Sequence, residues 1–156
     1  MVSLDKQVLF GDAWMSLIAE RLAAGETVRE LKFRGVSMLP MLRQGKDSVE
    51  LSPLPEKLKK YDLPVYRRED GKYVMHRVVA VKEGYYLCLG DNTVAFETVR
   101  PEQMVGVVSA FYRGDKRIET DDPGYQRYCR IWRLTRPWRK LWLWTKRTIK
   151  RILKRK

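Results

Sequence analysis

A serine hydroxyl attacks a carbonyl only when a base stands within hydrogen-bond reach and the backbone presents the hydroxyl to the substrate. Ser37 lies in Gly35-Val36-Ser37-Met38-Leu39-Pro40, where glycine frees the backbone before it and proline stiffens the segment after it. The chain holds one histidine, His76, in Tyr73-Val74-Met75-His76-Arg77-Val78-Val79. Strand alternation puts its imidazole on one face with Val74 and Val78, an apolar setting that keeps the ring neutral and able to accept a proton. A third element, Leu89-Gly90-Asp91-Asn92, supplies a carboxylate that would orient the ring and stabilise its charged form. Glu97 is a second candidate for that role. Each piece has a plainer reading when taken alone. A serine beside glycine and proline is a turn residue, a solitary strand histidine is a core residue bonded to a carbonyl, and Gly-Asp-Asn is ordinary turn chemistry.

In combination and in this order, the three elements resemble the signal peptidase I family. The match runs from Phe33 to Arg113 and comprises Gly35 to Pro40, Gly45-Lys46-Asp47-Ser48-Val49, His76-Arg77-Val78-Val79 and Gly90-Asp91-Asn92. The resemblance implies that Ser37 is the nucleophile, that His76 is the base where many bacterial members carry lysine, and that Asp91 is the acid. It likewise implies substrate contacts from Gly35, Val36 and Met38, and a serine endopeptidase that cleaves leader or signal peptides by acyl transfer. The implied fold is a mainly β, LexA/signal peptidase-like curled domain. The Ser37 N–H would serve the oxyanion, and Gly35 stands where some members place a hydroxyl donor. Family members usually carry a membrane-spanning helix before the nucleophile box, and this chain has a charged amphipathic segment there. In the histidine branch an aspartate is common where this chain has Glu97. Two other classes fit the same residues: a catalytically silent relative that binds peptides, and a LexA-like regulatory module with a nucleic-acid-binding tail. No cofactor, metal or organic, is expected.

The elements that must position these residues are short. Leu4, Val8, Met15, Ile18 and Leu22, widened by Trp14 and Leu17, predict an amphipathic helix closing at Gly25. Leu31 and Phe33 alternate with Glu30 and Lys32, which predicts a strand leading into the Ser37 segment. Further strands are expected near Ser48 to Leu51, Leu63 to Arg67, Tyr73 to Val81, Tyr85 to Leu89, Met104 to Arg113 and Arg117 to Glu119. Hairpin turns are expected at Glu69-Asp70-Gly71 and Gly114-Asp115. This spacing predicts a mainly β, curled or barrel-like domain with a helix at its N-terminal end. Asp121-Asp122-Pro123-Gly124 breaks the pattern, so the expected division is a catalytic domain over 1–124 and a tail over 125–156.

Charge supports that division. The chain carries 32 Lys and Arg against 19 Asp and Glu, a formal net charge of +13. Thirteen of the basic residues and none of the acidic ones fall between Tyr125 and Lys156, so the remainder is balanced. Four of the five tryptophans lie there too: Trp132, Trp138, Trp142 and Trp144. Tyr128, Ile131, Trp132 and Thr135 share a helical face, Pro137 is expected to kink or restart the helix, and apolar residues recur at helical spacing beyond it. Basic residues with interfacial aromatics predict peripheral association with an anionic membrane surface, without nucleic acid as a partner. The rival readings are a stripe packed on the β domain and a nucleic-acid-binding tail. No secretory leader pattern or membrane-spanning run is read in the N-terminal segment. Cys88 and Cys129 show no metal-type spacing and are read as reduced thiols.

Overall fold

In a computed structural model, which describes residues 12–138 together with Leu141 and Thr145, the chain is mainly β, with two antiparallel sheets and an N-terminal helix. Helix α1 (Asp12–Ala23) buries Met15, Ile18 and Leu22 at three- and four-residue spacing, and it closes at Gly25 with φ of 83°. Leu17, expected to widen the buried stripe, is 44% exposed. Leu4 and Val8 lie outside the described residues.

The larger sheet contains β1 (Val28–Leu31), β2 (Asp47–Ser52), β3 (Pro64–Arg67), β4 (Tyr73–Met75), β8 (Met104–Arg113) and β9 (Lys116–Glu119). Its order is β1-β2-β8-β3-β4, with β9 also on β8. The smaller sheet is β5 (Arg77–Lys82), β6 (Tyr85–Leu89) and β7 (Glu97–Val99), in that order. Both predicted hairpins form: Gly71 has φ of 84° between β3 and β4, and Gly114 has φ of 63° between β8 and β9. Strand β1 begins earlier than expected and ends at Leu31, because the chain bulges at Glu30, whose φ is 55°. Phe33 is buried beyond the strand end.

The expected single strand from Tyr73 to Val81 is two strands that belong to different sheets. Met75 pairs with Val65 of β3, whereas Arg77 pairs with Leu89 of β6. One extended run cannot continue both ladders, so the chain changes sheet at the residue between them, His76. Tyr66, Val78, Tyr86, Cys88 and Val99 form a small core in this region, with Val74 packed against it. The main core lies on the larger sheet and includes Met15, Leu22, Met38, Leu42, Val49, Val108 and Phe111.

Helix α2 (Pro123–Leu134) is capped by Asp122, whose side chain accepts the Tyr125 N–H at 3.0 Å. Its residues Tyr125 and Cys129 are part of the main core. The compositional boundary at Gly124 is therefore not a packing boundary, because the first turns of the basic segment are built into the β domain. Tyr128 and Trp132 stack, with ring centroids 5.6 Å apart, while Ile131 is 51% exposed, so the face expected to hold all three is narrower than predicted. Helical structure ends at Leu134 and resumes at Arg136 to Trp138, at the predicted break around Pro137. The tail beyond, apart from Leu141 and Thr145, lies outside the described residues.

Candidate active site

The position of His76 at the seam between sheets decides what its two ring nitrogens meet. On one side, Nδ1 lies 3.1 Å from Glu97 Oε1 and 3.1 Å from the Tyr66 hydroxyl. Tyr66 donates to Glu97 Oε2 at 3.0 Å, and Arg68 grips the same carboxylate through both Nε and Nη2. With Arg68 and Tyr66 already donating to Glu97, the carboxylate is ionised, and the tautomer that satisfies the array places the ring proton on Nδ1. That leaves Nε2 with a free lone pair.

Nε2 faces the nucleophile segment. A Cβ added to Gly90 would stand 2.9 Å from His76 Nε2 and 2.8 Å from the Ser37 carbonyl oxygen, so those two atoms are separated by no more than the sum of these lengths. Asn92 ties the same turn to the serine: its N–H donates to the Ser37 carbonyl at 2.7 Å, and its side-chain amide donates to the Val36 carbonyl at 3.0 Å. Thr93 closes the turn back on Gly90. Gly35 has φ of 109° and its N–H donates to the Gln44 side chain at 2.8 Å, which sets the backbone before Ser37. The sequence thus makes a stiff loop on one side and a tight glycine turn on the other, and the two are bonded together.

Ser37, His76 and Glu97 line one cleft of about 580 Å³, with Gly35 and Met38 also on its wall. Among the expected substrate contacts, Gly35 and Met38 border the cleft, while Val36 is 58% exposed at the surface beside it. His76 is only 3% exposed. The Oγ–Nε2 hydrogen bond is not among the contacts that the described residues form. Such bonds are often long in the free state and close in the complex with substrate.

Asp91, expected to be the acid, lies near enough for its charge to raise the His76 pKa, but it hydrogen-bonds other groups. Both its oxygens bond Arg77, at 2.9 and 2.7 Å, and Oδ2 also accepts the Tyr128 hydroxyl at 3.2 Å. The carboxylate at Nδ1 is that of Glu97. The reason lies in strand pairing: β7 starts at Glu97, and its register on β6 (Cys88↔Glu97) sets that side chain beside the ring, while the preceding turn directs Asp91 toward β5. Tyr66 and Arg68 were not singled out from the sequence, because an aromatic and an arginine at the end of a strand carry no mark of function there. Arg77 and Asn92 fell inside boxes of the resemblance, but nothing in their types announced which partners they would take.

Electrostatics follow the same layout. Burial is the largest influence on His76 and lowers its pKa below the ordinary value; Glu97 opposes this and the Arg68 charge adds to it. The imidazole is therefore neutral near pH 7, the form a general base requires. Burial works against the charged form of Glu97, but the hydrogen bond from Arg68, the His76 charge and the hydrogen bond from Tyr66 outweigh it and hold the carboxyl below the usual range. Cys88 is pushed up to about 12 by burial and by Glu97, which leaves it a thiol and not a rival nucleophile.

No family model, curated protein or solved structure matches this chain. The functional reading therefore stands on the site. Among the described residues no group of three His, Cys, Asp or Glu side chains is arranged to hold a metal ion, and no helix is long and apolar enough to cross a membrane. Cys88 and Cys129 are both buried and free.

Proposed function

We propose that the chain is a serine endopeptidase of the signal peptidase I type, with Ser37 as nucleophile, His76 as general base and Glu97, in place of Asp91, as the orienting acid. The observation that carries this reading is the placement of the one histidine, with Nδ1 on an ionised carboxylate and Nε2 toward the backbone of Ser37. In the proposed reaction Nε2 takes the Ser37 proton as Oγ attacks a peptide carbonyl. Glu97 stabilises the imidazolium, and the same proton passes to the leaving amine as the acyl-enzyme forms. Water then repeats the sequence in reverse. The Ser37 N–H is the proposed oxyanion donor.

Strand β4 is an edge of the larger sheet, and its residues Tyr73, Val74 and Met75 border the cleft. An extended peptide laid along this edge would bring a carbonyl to Ser37 through main-chain pairing, which suits a leader or signal segment of a larger substrate. Two antiparallel sheets with an N-terminal helix are compatible with the LexA/signal peptidase-like fold. The exposed apolar residues Leu134, Trp138 and Leu141, with the basic excess of the tail, support peripheral attachment to an anionic membrane.

The test is turnover of leader-type peptides by wild type, Ser37→Ala and His76→Ala. Loss of cleavage in both variants is expected, and unchanged turnover in either one removes the mechanism. The open edge of β4 along the cleft also fits one second reading, a silent relative that binds peptides. Peptide binding without cleavage by wild type would select it.

A further inference from the structure

The segment from Gly90 to Glu97 carries both groups that hold the proposed catalytic pair: Asn92 on the Ser37 and Val36 carbonyls, and Glu97 on His76. The basic C-terminal segment touches this loop near both ends. Near its start, the Arg77–Asp91 pair is closed over by α2. Arg77 Nη1 donates to the Tyr125 hydroxyl at 2.7 Å and to Cys129 Sγ at 2.9 Å, and the Tyr128 hydroxyl donates to Asp91. The guanidinium also lies 5.5 and 5.9 Å from the Tyr125 and Tyr128 ring centroids. Near the end of the loop, the Arg136 guanidinium sits 4.0 Å over the ring of Phe96.

The side chains of Arg77 and Asp91 are 3% and 2% exposed. A pair so buried adds little net stability, because desolvation offsets the attraction, and it holds one geometry only when its remaining donors and acceptors are filled. In this protein α2 supplies three of these partners, Tyr125, Tyr128 and Cys129, and the Tyr61 carbonyl accepts from Arg77 Nη1 at 3.4 Å. Arg77 is the residue after His76, and Asp91 lies between Gly90, which packs on Nε2, and Asn92, which holds Ser37. Any shift of the pair is thus one residue away from His76 and from Asn92, the residue that holds Ser37.

We infer that α2 belongs to the active-site scaffold, with Tyr125 and Tyr128 as positioning residues that fix the Arg77–Asp91 pair and, through it, the loop from Gly90 to Glu97. This rests on the serine/histidine reading given above. The tail is then more than an anchor, because its first two turns set the distance between Ser37 and His76.

Removing α2 would open the main core, so the test uses the full chain with the double substitution Tyr125→Phe and Tyr128→Phe, which keeps both rings and deletes both hydroxyls. Amide hydrogen exchange and peptide turnover are measured on it and on wild type. Exchange at the Asn92 amide is expected to accelerate about tenfold or more, while the β2–β8 ladder keeps its wild-type protection. In turnover, kcat is expected to fall about tenfold or more with KM within about twofold, as misplacement of reacting groups requires. Unchanged exchange at Asn92 overturns the inference. So does equal acceleration throughout β2 and β8, which would mark a general loosening. If wild type shows no turnover that depends on Ser37, the hydrolase reading fails by itself, and exchange at Asn92 still decides whether α2 holds the loop.

Discussion

His76 Nδ1 stands 3.1 Å from Glu97 Oε1, whereas the carboxylate of Asp91 is given to Arg77. Two acids six residues apart therefore take different partners. Replacing Glu97 with Gln keeps the shape but removes the charge that favours the Nδ1–H tautomer and stabilises the imidazolium. Peptide turnover by Glu97→Gln is expected to fall roughly 100-fold or more in kcat with little change in KM. Activity within about twofold of wild type would deny Glu97 the acid role.

Asp91→Asn is expected to lower stability as well as to disturb the loop that the pair holds. It leaves the Arg77 guanidinium buried without its counter-charge, and breaking a buried pair in this way costs about 3–5 kcal/mol. Urea unfolding of the variant should show a lowered midpoint with an unchanged slope. A stability within about 0.5 kcal/mol of wild type would contradict the buried pairing.

The lowered pKa of His76 fixes a pH dependence. In the proposed mechanism the base is the neutral ring, so kcat/KM should be level above the ordinary histidine value of 6.5 and fall only at more acid pH. The stability effect has the same sign. Below 6.5 the unfolded chain binds a proton that the folded chain resists, so stability falls as pH drops from 6.5 to the lowered folded value and is constant above. Because His76 is the only histidine, its ring resonance in proton NMR reports the titration without assignment. A midpoint at or above 6.5 would refute the buried, neutral ring.

Gly90→Ala tests the meeting of the two loops. The new methyl would lie 2.8 Å from the Ser37 carbonyl, 2.9 Å from His76 Nε2 and 2.9 Å from Thr93 Cγ2. The first of these is backbone and cannot swing away. A stability loss of about 1–3 kcal/mol is expected, with a larger proportional loss of turnover. A variant as active and as stable as wild type would show that the turn does not pack on Ser37.

Truncation after Thr135 is the clean test of membrane attachment, since it keeps Tyr125 and Cys129 in the core while removing ten of the thirteen basic tail residues. Each lysine or arginine at an anionic surface adds about 1 kcal/mol. The full chain should co-sediment with anionic liposomes and release at high salt, and the truncated chain should stay in solution. Equal sedimentation of the two would place the attachment elsewhere.

Much of the layout was readable in the linear chain because it depends on neighbours in sequence. The glycines at 71 and 114 mark hairpin turns whose backbone only glycine adopts readily, and both hairpins form. Met15, Ile18 and Leu22 repeat at the helical period and are buried together. The interruption at His76 was not readable, because the residues from Tyr73 to Val81 form one uninterrupted strand pattern. Only the competing ladders with β3 and β6 divide it.

By itself the sequence determined most of the local elements, though not the break at His76 or strand β7, together with the glycine–proline setting of Ser37, the single histidine and the separation of balanced charge from a basic tail. These follow from backbone preferences and composition, which act over a few residues. Only the tertiary structure decided that Glu97 meets His76, that Asp91 is closed in a pair with Arg77 and that α2 packs against that pair. Those outcomes depend on the register of β7 on β6 and on contacts such as Arg77 with Tyr125, 48 residues apart, where burial and hydrogen bonding select among partners that are equivalent in the linear chain.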